Sequence, residues 1–292
     1  MEISAKFVKE LRDKTGCGMM ECKKALTECE GDIEKAINWL RERGIAKAVT
    51  KADRETKEGR IYSFIQPCLK IGAIIEVNCE TDFVARNDQF KQLCNDLAKH
   101  ITEQNPADVS AMLTQKFSCN PEKTINEVLA EAIASIGENI QITRFKRVAL
   151  DKPGRVYSYI HTNDKLGVLV TFTTESNNII KDTTFESLCK DIAMHITAQN
   201  PLAITPDELD SDLIAKEREI YRNKALNDGK PEAVADKIVD GQIKKLYKES
   251  CLLQQDFVKD ETKTVQDIIN EVSSNLGEKI NISHFTRYYL GE

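Results

Sequence analysis

The chain contains one unit written twice. Residues 59–77, GRIYSFIQPCLKIGAIIEV, align with 154–172, GRVYSYIHTNDKLGVLVTF, at an offset of 95. The same offset pairs FKQLCNDLAKHITEQNP at 90–106 with FESLCKDIAMHITAQNP at 185–201. A third block, 124–150, matches 264–290 at an offset of 140, so the second copy holds 45 extra residues between Pro201 and Thr264. Self-similarity on this scale means one supersecondary unit used in tandem, and it constrains the fold more than any single element does.

Each copy reads strand, strand, helix, helix, strand. Residues 60–65 and 71–77 are short runs of Ile, Val and aromatics around a turn, which predicts a β-hairpin. Phe90, Leu93, Cys94, Leu97, Ala98 and Ile101 share one face of a helix. A second helix is predicted over about 122–135, ending near Gly137 as a C-cap. Ile140, Ile142 and Phe145 return to strand spacing. The fold class expected is α+β, with two tandem related subdomains built on small antiparallel sheets, at 55–150 and 151–292.

The extra residues predict a coiled-coil hairpin at about 207–249, projecting from the second copy as an interaction arm. Leu209, Leu213, Ile220 and Leu226 form its first stripe, and Val234, Ile238, Ile243, Leu246 and Tyr247 its second. Residues 227–231, NDGKP, are the turn. Ahead of the repeats, residues 1–54 predict a three-helix domain. Ile3, Phe7 and Leu11 lie on its first helix, with a break at Thr15-Gly16-Cys17-Gly18. Trp39 is expected to fill its core. Residues 50–58, TKADRETKE, lack apolar periodicity and read as a linker that few core contacts cross.

Charge and motif content exclude several functions. Lys and Arg number 41 against 47 Asp and Glu, a net charge of −6, which does not suit a protein that coats phosphate backbones. No direct nucleic-acid contact is expected. No apolar run approaches the ~20 residues of a membrane span. The opening MEISAKFVKELRDKTG has no signal-peptide core, so the expectation is a cytoplasmic protein. The nine cysteines include no C-x-x-C pair, and Cys17 with Cys22 would be half a metal site whose other ligands nothing local supplies. They read instead as small apolar residues, with no metal and no cofactor expected. Gly229-Lys230-Pro231 lacks the P-loop hydroxyl, and Gly16-Cys17-Gly18 lacks the third glycine of a dinucleotide fingerprint. His100 and His195 occupy equivalent positions. Their readings are a paired acid–base site or, since duplication marks fold, structural histidines near helix C-termini. Nothing marks an enzyme.

Two segments carry a resemblance. Residues 11–26, LRDKTGCGMMECKKAL, and residues 76–86, EVNCETDFVAR, resemble the two signatures of the elongation factor Ts family. The order of parts agrees along the whole chain, the N-terminal helices resembling a ubiquitin-associated domain. The resemblance implies a guanine-nucleotide exchange factor for the GTPase elongation factor Tu. It implies that the N-terminal domain docks on the partner's nucleotide-binding domain. The loop Thr81, Asp82, Phe83, Val84 would then wedge between two helices there, displacing Mg²⁺ so that GDP leaves. The factor itself would bind no nucleotide.

The second copy serves as a control on that loop. Glu175-Ser176-Asn177-Asn178 stands where Glu80-Thr81-Asp82-Phe83 stands in the first. Capping by Thr81 or Asp82 is retained in Ser176 and Asn177, but the ring of Phe83 is not. A phenylalanine demanded by the fold would call for an apolar residue at Asn178. Met19 and Met20 point about 100° apart on a helix, so one is expected inside and one toward a partner, with Arg12 and Lys23 at the rim. The alternative function is an adaptor whose N-terminal domain captures a ubiquitin-like or peptide ligand. A thiol hydrolase has no motif in its favour.

Overall fold

The computed structural model describes residues 3–15 and 17–292; Met1, Glu2 and the predicted breaker Gly16 lie outside the described residues. Helices α1 (Ala5–Thr15), α2 (Met19–Glu28) and α3 (Ile33–Lys51) come first. They close over Val8, Leu11, Cys22, Ala25, Leu26, Ala36 and Leu40. Val8, not Phe7, turns inward with Leu11. Phe7 stands 100° away on the flank and is exposed. Trp39 is half-buried against this core, with the Arg43 guanidinium 4.9 Å from its ring centre.

The first copy follows as β1 (Glu58–Ile65), β2 (Ile71–Cys79), α4 (Asp82–Ala85), α5 (Asp88–Gln104), α6 (Val109–Thr114), β3 (Lys116–Phe117), β4 (Asn120–Thr124), α7 (Ile125–Ile136) and β5 (Ile140–Ala149). The second is β6 (Gly154–Ile160), β7 (Leu166–Thr173), α8 (Thr183–Gln199), α9 (Ser211–Asn227), α10 (Glu232–Ser250), β8 (Asp256–Phe257), β9 (Asp260–Thr264), α11 (Val265–Leu276) and β10 (Asn281–Tyr289). Each copy is an antiparallel three-stranded sheet, β1-β2-β5 or β6-β7-β10, with helices on one face. The predicted α+β class and the strand–helix order hold. Helix α6 and the small ribbons β3–β4 and β8–β9 are additions, whose elements of two to six residues are too short to show a period. Residues 120–124 zip onto Lys116–Phe117, so α7 begins at Ile125 and not near 122. A capping box, Thr124 with Glu127, sets that start, and Thr264 with Asp267 repeats it.

The two sheets meet back to back. Ile61, Ile74, Val156, Leu169 and Leu290 form the layer between them. Gly72 and Gly167 are equivalent, and a Cβ on either would stand within 3 Å of side chains from the opposite sheet. Contacts repeat under a pseudo-twofold. The Ile61 N–H donates to the Asp164 carbonyl at 2.7 Å, and the Val156 N–H to the Leu69 carbonyl at 2.7 Å. Ser63 meets its own equivalent, Ser158, at 3.0 Å. The middle strand β2 is therefore buried on both faces, which explains its nearly unbroken apolar run.

Helix α3 runs through Thr50 and Lys51, past the expected start of the linker, because it packs along α7. Gly44 lies against Ala130 and Ala134, where a Cβ would come to 3.2 Å from the Ala134 methyl. Arg41 pairs with Glu127, and Lys51 donates to the Gly137 carbonyl. Contacts across the linker are thus many, not few. The equivalent face of α11 is polar, with Asn270 and Ser274 exposed. Only the helix that is covered carries alanines there.

His100 and His195 hold the small ribbons in place. His100 Nδ1 accepts the Ser118 N–H at 3.2 Å and its Nε2 meets Gln115 Oε1 at 3.0 Å; His195 does the same with Val258 at 3.2 Å and Gln255 at 2.9 Å. An Nδ1 that accepts a backbone N–H must be unprotonated. Burial pulls both imidazoles below their ordinary 6.5, the glutamine bonds opposing it in part. The neutral form belongs to the fold, so this stability is complete above about pH 6.5 and is lost as the pH falls below it. The melting temperature should fall between pH 6.5 and 5.5. A His100→Asn/His195→Asn double variant should show a shallower slope, which a thermal melt series reads directly.

Helices α9 and α10 form the predicted antiparallel pair; the second predicted stripe holds at Ile243, with Ile238, Leu246 and Tyr247 half-buried and only Val234 exposed, but the first stripe does not. Ala225, Ala235, Val239 and Ile243 are buried, with Ile214 and Tyr221 half-buried beside them. Leu213, Ile220 and Leu226, expected inside, are exposed, and Leu209 precedes the helix. Two alanines let the helices approach on a face that a search for large apolar residues overlooks. The chain then re-enters the second copy: Ser250 accepts from the Leu202 N–H at 2.8 Å, and Cys251 and Leu252 are buried. Replacing residues 211–247 with a short Gly/Ser loop should shift the melting temperature by only about 2–4 °C, since loop closure of this size is worth ~1 kcal/mol. Carrying the excision through Gln255 should unfold the second copy. Calorimetry on the two deletions separates these outcomes.

Candidate functional site

Strand β2 ends at Cys79, and the chain turns at Glu80 and Thr81 into the four-residue helix α4. Thr81 caps that helix: its Oγ1 accepts the Val84 N–H at 3.4 Å. Below it, Cys79 Sγ donates to the Thr81 carbonyl at 3.2 Å, and burial pushes this thiol up to about 12. At the far end Arg60 donates to the Ala85 carbonyl at 3.3 Å. The loop is braced at both ends. Between the braces Val84 packs on the core of the first copy and Ala85 is buried, while Phe83 is 83 % exposed.

The second copy keeps every brace. Thr174 Oγ1 donates to the Ser176 carbonyl at 2.6 Å in the place of Cys79, and Arg155 donates to the Ile180 carbonyl at 3.2 Å in the place of Arg60. Ile179 is buried where Val84 packs. The apolar requirement of the unit therefore falls on Val84 and Ile179, and Phe83 and Asn178 are free of it. Capping falls to Thr81 and to Ser176, which accepts the Asn178 N–H at 3.1 Å. Asp82 is relieved of the cap; it is the first residue of α4, and its carboxylate pairs with Arg86 at 3.1 Å. The loop thus offers an exposed ring beside a carboxylate, with its backbone already fixed.

The profile of the elongation factor TS family matches residues 80–292, beginning at this loop. The chain belongs to the elongation factor Ts family. It is 44 % identical over 290 residues to elongation factor Ts of Clostridium botulinum (strain ATCC 19397 / Type A), covering 99 % of this chain and 93 % of the relative. It is 46 % identical over 290 residues to that of strain Eklund 17B / Type B, with the same coverage, 99 % and 93 %. The Symbiobacterium thermophilum protein is 41 % identical over 291 residues, covering 100 % of this chain and 93 % of its own length. Membership brings a role in translation elongation.

The residues that the family resemblance marks for docking lie on α1 and α2. Arg12 and Lys23 are exposed. Met19 keeps 46 % and Met20 77 % of their surface, so neither is core, against the expectation of one inside. The buried face of α2 is Cys22, Ala25 and Leu26, and Met19 stands at the helix's first position. Phe7 adds an exposed ring to the same helical unit, which periodicity alone had placed inside. Of the cysteines, Cys68 and Cys119 are exposed and six others are buried. Among the described residues no cluster of His, Cys, Asp and Glu is arranged to hold a metal, and no helix is long and apolar enough to cross a membrane.

Sequence reasoning missed Glu138 and Asn139. Glu138 accepts from Thr81, and the Asn139 N–H donates to Glu80 Oε1 at 2.6 Å. The Asn139 amide also donates to the Arg54 and Ala52 carbonyls at 2.9 and 3.3 Å. The signal available was the acidic residue after the capping glycine in both copies, Gly137-Glu138 and Gly277-Glu278.

Proposed function

We propose that this chain is the guanine-nucleotide exchange factor for the GTPase elongation factor Tu. The observation that carries this reading is Phe83: exposed, held on a capped turn beside Asp82, and replaced by Asn178 where the second copy repeats the same braces. Family membership supports the choice of partner. The N-terminal unit, residues 1–54, docks through Met19, Met20, Arg12 and Lys23 on the nucleotide-binding domain. The subdomains 55–150 and 151–292 then present Thr81–Val84 as a wedge that disturbs the Mg²⁺ site. A factor that binds the nucleotide-free GTPase more tightly than the GDP form must weaken GDP by the same ratio. No covalent step is required. The chain acts in the cytoplasm as a binding protein and not an enzyme, without a cofactor and without contacting nucleic acid or membrane.

The test is direct. The GTPase is loaded with a fluorescent GDP, excess unlabelled GDP is added, and release is followed with and without this protein. Acceleration that saturates with factor concentration is expected. Release at the intrinsic rate at every concentration would refute exchange activity.

A further inference from the structure

Besides the Cys79 and Arg60 braces, the Phe83 loop is held by a carboxylate. Glu138 Oε2 accepts the Thr81 N–H at 3.0 Å, and its Oε1 accepts the Thr81 hydroxyl at 2.6 Å. Bonds from a charged acceptor are the strong ones. The threonine so held is the cap of α4, so Glu138 fixes the residue from which the turn carrying Phe83 starts. A helix of four residues has little order of its own. Glu138 in turn follows Gly137, the C-cap of α7, and α7 is the helix on whose flank α3 lies. One helix thus bears the N-terminal unit along its side and the loop at its end. A second set of bonds ties the same point to the segment after α3. Buried Asn139 holds the Ala52 and Arg54 carbonyls, and Arg54 pairs with Glu80 at 3.4 Å. In the second copy its equivalent, Lys279, is exposed.

We propose that Glu138 is a positioning residue for nucleotide exchange. It fixes the aim of Phe83 relative to the docking helices, with α7 as the strut between them. This rests on the exchange reading above. The physical requirement is geometric: a wedge is effective only if docking delivers it to one place, and misplacement by about 1 Å is enough to cost roughly 100-fold where alignment limits a rate. The second copy supplies a matched control within the same molecule. Glu278 accepts the Ser176 N–H at 3.0 Å and also the Ser176 hydroxyl, so the bond pattern is the same, but the residue it would aim is Asn178. Whatever such a carboxylate contributes to the fold alone is measurable at Glu278.

The experiment compares maximal GDP release and half-saturating factor concentration for the full-length wild type, Glu138→Ala, Glu138→Gln, Glu278→Ala, Phe83→Ala and Glu138→Ala/Phe83→Ala. A thermal melt is recorded on each. Glu138→Ala should lower maximal release by about 10- to 100-fold while the half-saturating concentration moves less than about threefold. Glu138→Gln, which keeps one acceptor oxygen, should fall between it and wild type, and guards against a misfolded alanine variant. Glu278→Ala should lower the melting temperature about as much as Glu138→Ala and release GDP at the wild-type rate. The double variant should be no slower than Phe83→Ala, because the carboxylate acts through the ring. Equal release by Glu138→Ala and wild type, equal loss in Glu138→Ala and Glu278→Ala, or a double variant whose losses multiply would each overturn the proposal. A wild-type protein that fails to accelerate release instead overturns the exchange reading, and is detected before any variant is compared.

Discussion

Phe83→Ala should slow stimulated GDP release by roughly 30- to 1000-fold and leave the melting temperature where it was. An aromatic anchor in a partner pocket typically accounts for ~2–4 kcal/mol, and ~1.4 kcal/mol is tenfold in rate. The stability half of the expectation follows from exposure. Phe83 keeps 83 % of its surface in the free protein, and substitutions at such positions change stability by about ±0.5 kcal/mol. Had the ring been packed, its removal would cost ~3–5 kcal/mol, and activity would vanish through unfolding. Release kinetics and a thermal melt on one preparation decide between these. A folded variant with full exchange activity would sink the wedge. Val84→Ala is the mirror image: this neighbour packs on the core, so its substitution should register in the melt.

Glu76 invites the opposite expectation. It is an almost fully buried carboxylate on the middle strand of the first sheet. It accepts from Arg144 Nε at 2.8 Å, from the Gly291 N–H at 3.0 Å and from the Asn78 amide at 3.3 Å. Arg144 also donates to the Tyr289 carbonyl at 2.9 Å and lies 4.3 Å from the Tyr288 ring centre. This one carboxylate joins the first sheet to the end of β10 from the second. Glu76→Ala leaves a cation and a backbone N–H without their acceptor, a change that costs about 3 kcal/mol when the site is buried. The expected result is a melting temperature lower by about 6–12 °C, with exchange by the folded fraction unchanged. Glu76→Gln, which retains an acceptor for Gly291, should lose about half as much. An alanine variant as stable as wild type would show that the two sheets hold together without this link.

The contrast between these residues shows what was legible in the sequence. The repeat gave the element order because identical apolar spacing must bury identical faces. It also separated Phe83 from the fold, since Val84 and Ile179 preserve the apolar position and Phe83 and Asn178 do not. Periodicity could not say which face of a short amphipathic helix would be covered. It therefore placed Phe7 inside in place of Val8, and chose Leu213 and Ile220 over Ala225 and Ala235 for the helical seam. Packing selects by shape, and small residues at a close crossing carry little hydropathy. The linker failed for a related reason. Thr50 and Lys51 continue α3 through contacts with α7, which lies more than seventy residues further along the chain. Glu138 escaped notice because a carboxylate after a capping glycine looks like a solvated surface charge until Thr81 is placed beside it.

The back-to-back sheets have a consequence for how the two halves can differ. Ser63 against Ser158, and Ile61 with Asp164 against Val156 with Leu69, are the contacts of a self-complementary homodimer, here made within one polypeptide. A dimer of identical chains must carry every change twice. A phenylalanine suited to a partner would then appear at both loops, and a 45-residue arm would grow from both flanks. Joining the halves in tandem removes that obligation while leaving the shared interface intact. One half could acquire a ring and the covering helix α3, and the other could lengthen into an arm, each without disturbing its twin.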